Sequence, residues 1–364
     1  MKLKQILIKI KLGSMFALMI CLLFFNCSSD NVIVQEGLVV EKVQDAEIDE
    51  DVEGTEEGKV FSLVDFSNPI KLNPGDDIQA TIDLIRSSND DKGGNILLGK
   101  GTYVLNKPLI VYSNINIHGY SANDPSGTVI TIEDNTFNQP IITNVGSLYN
   151  VSYQNFKVLG NLLDSEQHLD PTYHEEGTAG EDESIRNNLI GILLVADGDT
   201  YREAKISNVK IRNVEVSNCA MGIHFKGARE VYLTHMNLHD NGMIEAYYHN
   251  LYFRRVFKFT ISNSKMYNSP TGNGMNVSQS EDVTIRSNEC YSNFFRGLRV
   301  EGEQGFIINK INITQNACTD NGVFGIRLRN ITSGLVNGNT SIDNGTDTDF
   351  ENTNDLVFTN NSWQ

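Results

Sequence analysis

Short stretches in which apolar and polar residues alternate recur between residues 208 and 344. One set opens with glycine or asparagine and continues apolar–polar–apolar, at residues 222–225, 250–253, 274–277, 297–300 and 325–328. A second set is rich in β-branched residues and precedes most of the first, at residues 209–211, 259–261, 283–285 and 311–313. Alternation with period two is typical of strands with one buried side. No helical period fits these stretches, so the pattern predicts short strands.

Asparagines mark a repeat along the same residues. They fall at intervals of 23, 27, 25, 28 and 23, at Asn218, Asn241, Asn268, Asn293, Asn321 and Asn344. A second set stands five residues earlier, with Met236 as its one exception, at Asn213, Asn263, Asn288, Asn316 and Asn339. Asparagine tolerates the left-handed backbone of a sharp corner, and stacked amides can bond to one another. Stacked rungs bury a core that one rung cannot. The sequence predicts an all-β fold, a single-stranded right-handed parallel β-helix over residues 61–364.

The start of this coil carries a helical signal. Residues 76–85 place Ile78, Ile82 and Ile85 on one side of a helix, and strand-like stretches follow at residues 93–98, 101–104 and 108–111. A helix here would cover the apolar open end of the coil. An amphipathic helix followed by a Gly-Gly strand and Gly-Thr-Tyr resembles the entry of pectate-lyase-like β-helices. The resemblance implies the fold and the capping helix, and leaves the activity open.

The N-terminus is predicted to be an export signal. Residues 1–26 contain four lysines followed by an apolar run at residues 15–25, and Cys27 comes directly after. The run is too short for a comfortable membrane span. The segment resembles a bacterial lipoprotein signal of the Bacteroidetes type, although Phe25 and Asn26 depart from the usual small residues. The resemblance implies lipidation of Cys27 and an exported outer-membrane lipoprotein, periplasmic or on the cell surface, that meets the membrane through its lipid alone.

Charge narrows the possible partners. The chain has a net charge of −17, and removal of the four signal lysines leaves about −21. Such a chain should not bind nucleic acid non-specifically. Eleven of the acids lie between Asp30 and Lys59, so residues 27–60 are predicted to be a disordered tether. A second acidic segment, residues 161–187, interrupts the repeat and is interpreted as an insertion that walls a groove. The expected protein is a monomer.

Alternation places the polar residues of the first set of stretches on the outside, in columns that run along the coil. One column is His224, Tyr252, Asn276, Arg299 and Arg327. The next is Lys226, Arg254, Ser278, Glu301 and Arg329. Residues 254–329 contain ten bases and six acids, unlike the acidic remainder. Like charges stacked in a column repel, so an anionic polysaccharide is the expected partner. The structural alternative pairs these arginines with Glu301, Glu303 or Asp320.

The residue types of these columns suit β-elimination on a uronic-acid polymer such as alginate or pectin. That reaction requires a neutralised carboxylate, a base and an acid. The candidate catalytic residues are His249 and Tyr252, for proton transfer, and Arg254, for the carboxylate. Candidate substrate-binding residues are Lys226, His224, Asn250, Asn276, Arg299 and Arg327. The hypothesis is therefore a polysaccharide lyase that needs no cofactor, unless the following calcium site exists.

Other functions remain open. Asn276, Glu301 and Glu303, with Lys310 and Arg329 downstream, loosely resemble the Ca²⁺ site of calcium-dependent β-helix lyases. A uronan C5-epimerase shares the proton-abstraction step, but the Asp-Pro-His of mannuronan epimerases is missing. A glycoside hydrolase needs paired carboxylates, and polygalacturonase signatures are missing too. The non-enzymatic alternative is a glycan-binding or surface-scaffold β-helix.

Three cysteines follow the signal and the anchor. Cys290 and Cys318 each lie two residues after an asparagine of the second set, so they should stack on neighbouring rungs. A buried pair of thiols is expected, with a disulfide as the alternative.

Overall fold

The computed structural model describes residues 68–88, 92–124, 126–162, 186–196, 204–242, 248–303 and 305–363. The predicted signal at residues 1–26, Cys27, the tether at residues 27–60 and most of the insertion at residues 161–187 lie outside these ranges. Among the described residues, no helix is long and apolar enough to cross a membrane.

The predicted N-terminal helix is confirmed. Helix α1 spans Ile78–Ser88, and the Asp77 carboxylate caps it by accepting a hydrogen bond from the Ala80 amide at 3.0 Å. Its apolar side is buried on the first coils, as the spacing of the isoleucines predicts. The Gln79 side chain accepts a hydrogen bond from the Ile110 amide at 2.8 Å and so ties the helix to the coil.

The strands occupy most of the described chain. Those of the N-terminal coils are β1 (Ile70–Leu72), β2 (Gly94–Leu98), β3 (Gly101–Leu105), β4 (Leu109–Val111), β5 (Ile115–His118), β6 (Thr128–Ile132), β7 (Ile142–Asn144), β8 (Leu148–Leu159) and β9 (Ile190–Val195). Those of the central coils are β10 (Ile206–Ser217), β11 (Met221–Thr234), β12 (Asn237–His239), β13 (Leu251–Ser262), β14 (Lys265–Tyr267), β15 (Met275–Ser278), β16 (Glu281–Arg286), β17 (Glu289–Tyr291) and β18 (Arg296–Glu301). Those of the C-terminal coils are β19 (Ile311–Thr314), β20 (Ala317–Thr319), β21 (Phe324–Arg329), β22 (Gly334–Asn337), β23 (Thr340–Ile342), β24 (Thr346–Glu351), β25 (Leu356–Thr359) and β26 (Ser362–Trp363).

Every described strand pairs in parallel with a strand of a neighbouring coil. From residue 204 onward each coil has three faces. The site face consists of residues 221–226 of β11, residues 251–254 of β13, and strands β15, β18, β21 and β24. The second face holds the later part of β11 and β13 with β16, β19, β22 and β25. The short face holds β12, β14, β17, β20, β23 and β26. The predicted right-handed parallel β-helix is confirmed.

The core is a continuous apolar column inside the coil. The side chains predicted to face inward from the site face are at most 1% exposed, namely Ile223, Phe225, Leu251, Phe253, Met275, Val277, Leu298, Val300, Ile326 and Leu328. Burying each of these side chains contributes about 1.5–3 kcal/mol to folding. The core therefore fixes the strand register, and the register fixes which side chains stack outside.

Two buried asparagine ladders hold the corners on either side of the short face. In one, Asn288, Asn316, Asn339 and Asn361 bond amide to amide between successive rungs. In the other, Asn293, Asn321 and Asn344 do the same. Each amide also donates to a main-chain carbonyl, for example from Asn316 Nδ2 to Ile285 O at 2.9 Å. The ladders therefore satisfy corner groups that water cannot reach.

Part of the predicted repeat is shifted by one residue. Asn218, Asn263 and Asn268 have positive φ angles and turn the corner themselves. The ladder positions fall to the residues that follow them, and the amides of these residues donate to the next ladder asparagine: Cys219 to Asn241, Ser264 to Asn288, and Ser269 to Asn293. Asn213 is also a corner residue and bonds to Asn155 in a separate, outer ladder.

The cysteine prediction is confirmed. Cys290 and Cys318 are register partners in β17 and β20, and both are buried and free. A hydrogen bond to Cys318 and burial raise the pKa of the Cys290 thiol well above its ordinary value. The pair is therefore a packed element of the core.

Candidate functional site

The register confirms both predicted outward columns. His224, Tyr252, Asn276, Arg299 and Arg327 are consecutive partners, as are Lys226, Arg254, Ser278, Glu301 and Arg329. The columns continue into Leu193 and Val195 at one end, and into Asp349 and Glu351 at the other. The polar columns therefore lie between an apolar rung and an acidic rung.

Tyr252 lies at the centre of a cluster on the site face. Its ring stacks on His224 with 4.8 Å between centroids, and His249 meets it edge-on at 5.6 Å. The Tyr252 hydroxyl lies 3.1 Å from Ser278 Oγ, in the neighbouring column. These contacts fix the phenol and leave its side chain partly exposed. The Tyr252 hydroxyl is therefore held in one orientation on a side chain that a ligand can reach.

His249 is buried against the Tyr252 ring. Its side chain is 1% exposed, its Nδ1 receives the Asn273 amide at 3.1 Å, and its Nε2 lies 2.8 Å from Asn276 Nδ2. Burial, followed by the charges of Arg299 and Arg296, lowers its pKa well below the ordinary value. A neutral, enclosed imidazole cannot take a proton directly from a polymer. We therefore assign His249 a positioning role under Tyr252 and Asn276, in place of the predicted proton transfer.

Asn250 is not accessible to a substrate, contrary to its predicted binding role. It is fully buried and lies between two ladder asparagines, accepting from Asn241 Nδ2 at 3.0 Å and donating to Asn293 Oδ1 at 3.2 Å. Ser269, at the ladder position of this rung, is too short to span the gap. The amide of Asn250 enters from the site face and closes it.

In the other rungs, glycine occupies the position of Asn250, because a ladder asparagine already fills the space that a side chain would need. A Cβ at Gly297 would lie 2.8 Å from Asn321 Nδ2, and one at Gly325 would lie 2.4 Å from Asn344 Nδ2. The ladder amides fill the space where a side chain would begin. The glycine that opens each site-face strand is therefore a packing requirement of the ladder.

His224 presents a different environment. Its Nε2 is buried and has no hydrogen-bond partner among the described residues. Burial, followed by the charges of Lys226 and Arg254, lowers the pKa of His224 to about 4. The ring is therefore neutral at physiological pH and supports Tyr252 as a flat, uncharged surface.

Arg299 occupies the place that the calcium hypothesis assigns to the ion. Its guanidinium donates to Asn276 Oδ1 at 2.8 Å, to Glu301 Oε2 at 2.9 Å and to Glu303 Oε1 at 2.6 Å. Ca²⁺ would need these same oxygens as ligands. The Arg299 side chain already bonds all three and neutralises the carboxylates. Lys310 pairs with Asp282 at 2.8 Å, away from these residues. No group of three or more His, Cys, Asp or Glu able to hold a metal occurs among the described residues. The residues present do not fit the metal.

In the C-terminal half of the site face, Arg327 and Arg329 are neutralised. Arg327 Nε lies 3.3 Å from Glu301 and 3.4 Å from Asp349, and Arg329 pairs with Asp349 at 2.9 Å and with Glu351 at 3.1 Å. The structural alternative for the arginines is thus confirmed for Glu301 and Glu303, while Asp320 has no ion pair among the described residues. Asp349 is a further partner that the sequence did not suggest. Asp349 is the register partner of Arg327 on the next rung. The sequence did not indicate this, because the polar, acidic segment around Asp349 lacks the pattern of the repeat.

The N-terminal half of the site face keeps its positive charge. Within the described ranges, neither Lys226 nor Arg254 has a carboxylate partner, and Arg254 Nε is buried without a hydrogen bond. Both cations lie in the column next to His224 and Tyr252. An anion placed beside the Tyr252 hydroxyl would meet them first.

The histidines predict how stability depends on pH. Burial lowers the pKa of His118 and His224 to about 4, and it lowers the pKa of His249 well below its ordinary value. The unfolded chain binds protons at these sites from about pH 6.5, so stability is lost as pH falls from 6.5 towards 4, by at most about 3 kcal/mol for each of the first two. Burial opposes the charge of His239, yet hydrogen bonds to neighbouring carboxylates raise its pKa to about 9. That contribution is lost as pH rises through 9.

We therefore expect the free energy of unfolding to be greatest near neutral pH, and urea titrations between pH 4 and pH 10 measure it. His118→Asn should flatten the acid limb, and His239→Gln should flatten the alkaline limb. Stability that rises steadily from pH 6.5 to pH 4 would contradict these assignments.

The coil, its ladders and its outward polar columns define a class, the right-handed parallel β-helix. The family model described as right handed beta helix region matches residues 249–363. Parallel coils also precede residue 249 among the described residues. Residues 249–363 therefore match this family model, and the described coils have the right-handed parallel β-helix fold.

Solved structures agree with this class. The A-module of mannuronan C-5 epimerase AlgE4 from Azotobacter vinelandii matches with a TM-score of 0.62 and 19% identity, over 80% of this chain and 74% of that chain. The A-module of AlgE6 from the same organism gives 0.61 and 19%, over 78% and 70%. Pectate lyase Pel9A gives 0.49 and 11%, over 74% and 70%. No curated protein matches the sequence. At these identities the likeness to the two A-modules establishes the fold alone.

Proposed function

We propose that the protein is a polysaccharide lyase that cleaves a uronic-acid polymer by β-elimination at Tyr252. The observation that carries the proposal is an oriented phenol on the site face, with Lys226 and Arg254 in the adjacent column and no carboxylate partner for either among the described residues. This is the arrangement that a uronate needs, because its carboxylate requires neutralisation beside a proton-transfer group.

The proposed step uses Tyr252 as base and then as acid. The uronate carboxylate binds Lys226 and Arg254, which stabilise the negative charge that develops on it. Tyr252, as phenolate, takes the proton from C5, and the electrons of that C–H bond form the C4–C5 double bond. The C4–O bond breaks, and the leaving oxygen receives the proton from the Tyr252 hydroxyl. Ser278 hydrogen-bonds the phenol throughout, and His224 and His249 hold its ring.

The remaining functions are less well supported by the site. Hydrolysis needs two available carboxylates, whereas Glu301, Glu303 and Asp349 are all paired with arginines. C5 epimerisation shares the first proton transfer, and the AlgE4 A-module, with a similar fold, bears that activity in its name. Epimerisation requires a second group that returns the proton from the opposite side of the sugar. A scaffold would bind the polymer and leave it intact.

Purified protein tested on alginate, polygalacturonate and a glycosaminoglycan separates these functions. The proposal predicts rising ultraviolet absorbance from unsaturated uronate ends on at least one polymer. Binding without any rise would favour the scaffold. An inverted C5 centre without new ends would favour the epimerase.

The arginine in the calcium position gives a further prediction. Because Arg299 already bonds Asn276, Glu301 and Glu303, we expect EDTA to leave the lyase rate unchanged. The rate is measured by the same absorbance assay, with added CaCl₂ as the reverse test. Loss of activity in EDTA, restored by Ca²⁺, would show that Arg299 yields its place to the ion.

A further inference from the structure

An aromatic cluster stands at the edge of the site face, on the rungs that follow Tyr252. Phe294 is 45% exposed, and its ring meets Phe295 nearly perpendicularly at 5.0 Å between centroids. The Arg296 guanidinium lies 5.6 Å from the Phe295 centroid and 5.7 Å from that of Phe324. Arg327 approaches the same Phe324 ring at 5.7 Å. The cluster thus holds two guanidinium groups against aromatic rings.

Arg296 differs from the other arginines near it. Arg299, Arg327 and Arg329 each have carboxylate partners. Arg296 has none among the described residues, and its Nε is buried without a hydrogen bond. Burial, followed by the charges of Arg327 and Arg299, lowers its pKa to about 10, so it remains charged at physiological pH.

An arginine that served only to hold the fold would be expected to have an acidic neighbour, since the chain carries a net charge of −17. Here the nearby carboxylate, Glu301, is paired with Arg299 and Arg327, and the charges of Arg327, Arg299 and Arg329 oppose that of Arg296. A guanidinium of this kind binds a carboxylate or sulfate through paired N–H donors, which would also satisfy the buried Nε. Phe294 provides an exposed apolar surface next to that anion, suited to the C–H face of a sugar ring.

We propose that Phe294, Phe295, Arg296 and Phe324 form a subsite for an anionic sugar ring of the polymer, distinct from the position at Tyr252. Arg296 binds the acidic group, and the phenylalanines contact the ring. This inference rests on the proposed function for the identity of the polymer. The binding itself can be tested without catalysis.

The position of the subsite sets a length requirement. Arg296 belongs to β18, and Tyr252 belongs to β13, two rungs earlier on the site face. Two rungs correspond to about 10 Å along the coil. A single sugar at Tyr252 does not reach Arg296, whereas an extended chain reaches both. Longer chains should therefore bind more tightly than the shortest substrate.

Arg296→Gln and Phe294→Ala test the subsite, with Lys265→Gln as the control. Lys265 is an exposed cation on the short face, paired with Glu289, so its variant removes the same charge far from the cluster. Affinity for alginate and polygalacturonate is measured by affinity electrophoresis in a Tyr252→Phe background, with dextran as the neutral polymer.

We expect Arg296→Gln to weaken binding of the acidic polymer by about tenfold to a hundredfold, and Phe294→Ala by about tenfold. The control should bind like the parent, and Arg296→Lys should recover part of the affinity. In the active protein, Arg296→Gln should raise KM for long chains without changing kcat. The KM for the shortest oligomer that is cleaved should also stay the same.

Two results would overturn the subsite. One is equal binding by Arg296→Gln, Phe294→Ala and parent proteins whose thermal unfolding is unchanged, which would make the cluster a packing element. The other is a parent protein that dextran retards as strongly as the acidic polymers do, or that neither acidic polymer retards. Loss of acidic-polymer binding in Arg296→Gln, with no lyase activity in the wild type, would support the subsite while the proposed function fails.

Discussion

Replacing Tyr252 with phenylalanine is expected to lower the lyase rate by about 10²–10⁴-fold, the range for a lost proton-transfer group. The change removes one oxygen and keeps the ring, so the stack on His224 at 4.8 Å and the edge contact with His249 at 5.6 Å remain. Among the described residues, the hydrogen bond that is lost joins the phenol to Ser278. Binding of the polymer should be nearly unchanged, because Lys226 and Arg254 still bind the carboxylate. The effect should therefore appear in kcat.

A second tyrosine provides the matched control. Tyr267 also stacks in a column, 4.8 Å from Tyr291, but it lies on the short face. Tyr267→Phe should keep the wild-type rate within the error of the absorbance assay. A Tyr252→Phe protein with wild-type kcat would exclude this tyrosine as the acid and base.

Replacing Asn316 with alanine should have the largest effect on stability. The Asn316 amide donates to Ile285 O and Asn339 Oδ1 at 2.9 Å, and it accepts from the main-chain and side-chain amides of Asn288 at 3.0 Å. All of these groups are buried, and several would lose a partner that no water replaces. At about 1–3 kcal/mol for each unsatisfied group, we expect a loss of about 3–5 kcal/mol in the free energy of unfolding.

Urea denaturation measures this loss, with Asn312→Ala as its control. Asn312 lies on the second face of the same rung, in β19, and its side chain is exposed. Its replacement should change stability by no more than about 0.5 kcal/mol. If the two variants unfold at the same urea concentration, the ladder does not stabilise the coil as its hydrogen bonds indicate.

The fold was predictable because every coil of a solenoid has the same physical requirements. Inward positions such as Phe253 and Val300 must be apolar in each rung, and the corners need asparagine or glycine. The strand period then determines the outward columns, which is why His224 and Tyr252 were placed correctly in sequence. The sequence did not separate corner positions from ladder positions, because asparagine occupies both and the two positions are adjacent within each rung. Asn268 is a corner residue, whereas Asn293 is a ladder residue.

Contacts between columns were not predictable. Asn250 looked like an outward polar residue, and only the short Ser269 side chain of the same rung explains why it turns inward. The base count of the site face suggested a continuous positive patch. Side-chain reach decides otherwise, since Arg327 extends to Asp349 on the following rung. In the outward columns, the charge that remains for a ligand is that of Lys226 and Arg254, and Arg296 adds to it at the edge of the site face.

Proton NMR of a polyuronate incubated with the protein in D₂O tests the central claim most directly, because it follows the C5 hydrogen itself. The account predicts vinylic signals from unsaturated chain ends with the wild-type protein, and none with Tyr252→Phe. A polymer that binds the protein, keeps its C5 hydrogen and gains no new ends would contradict proton abstraction at this site.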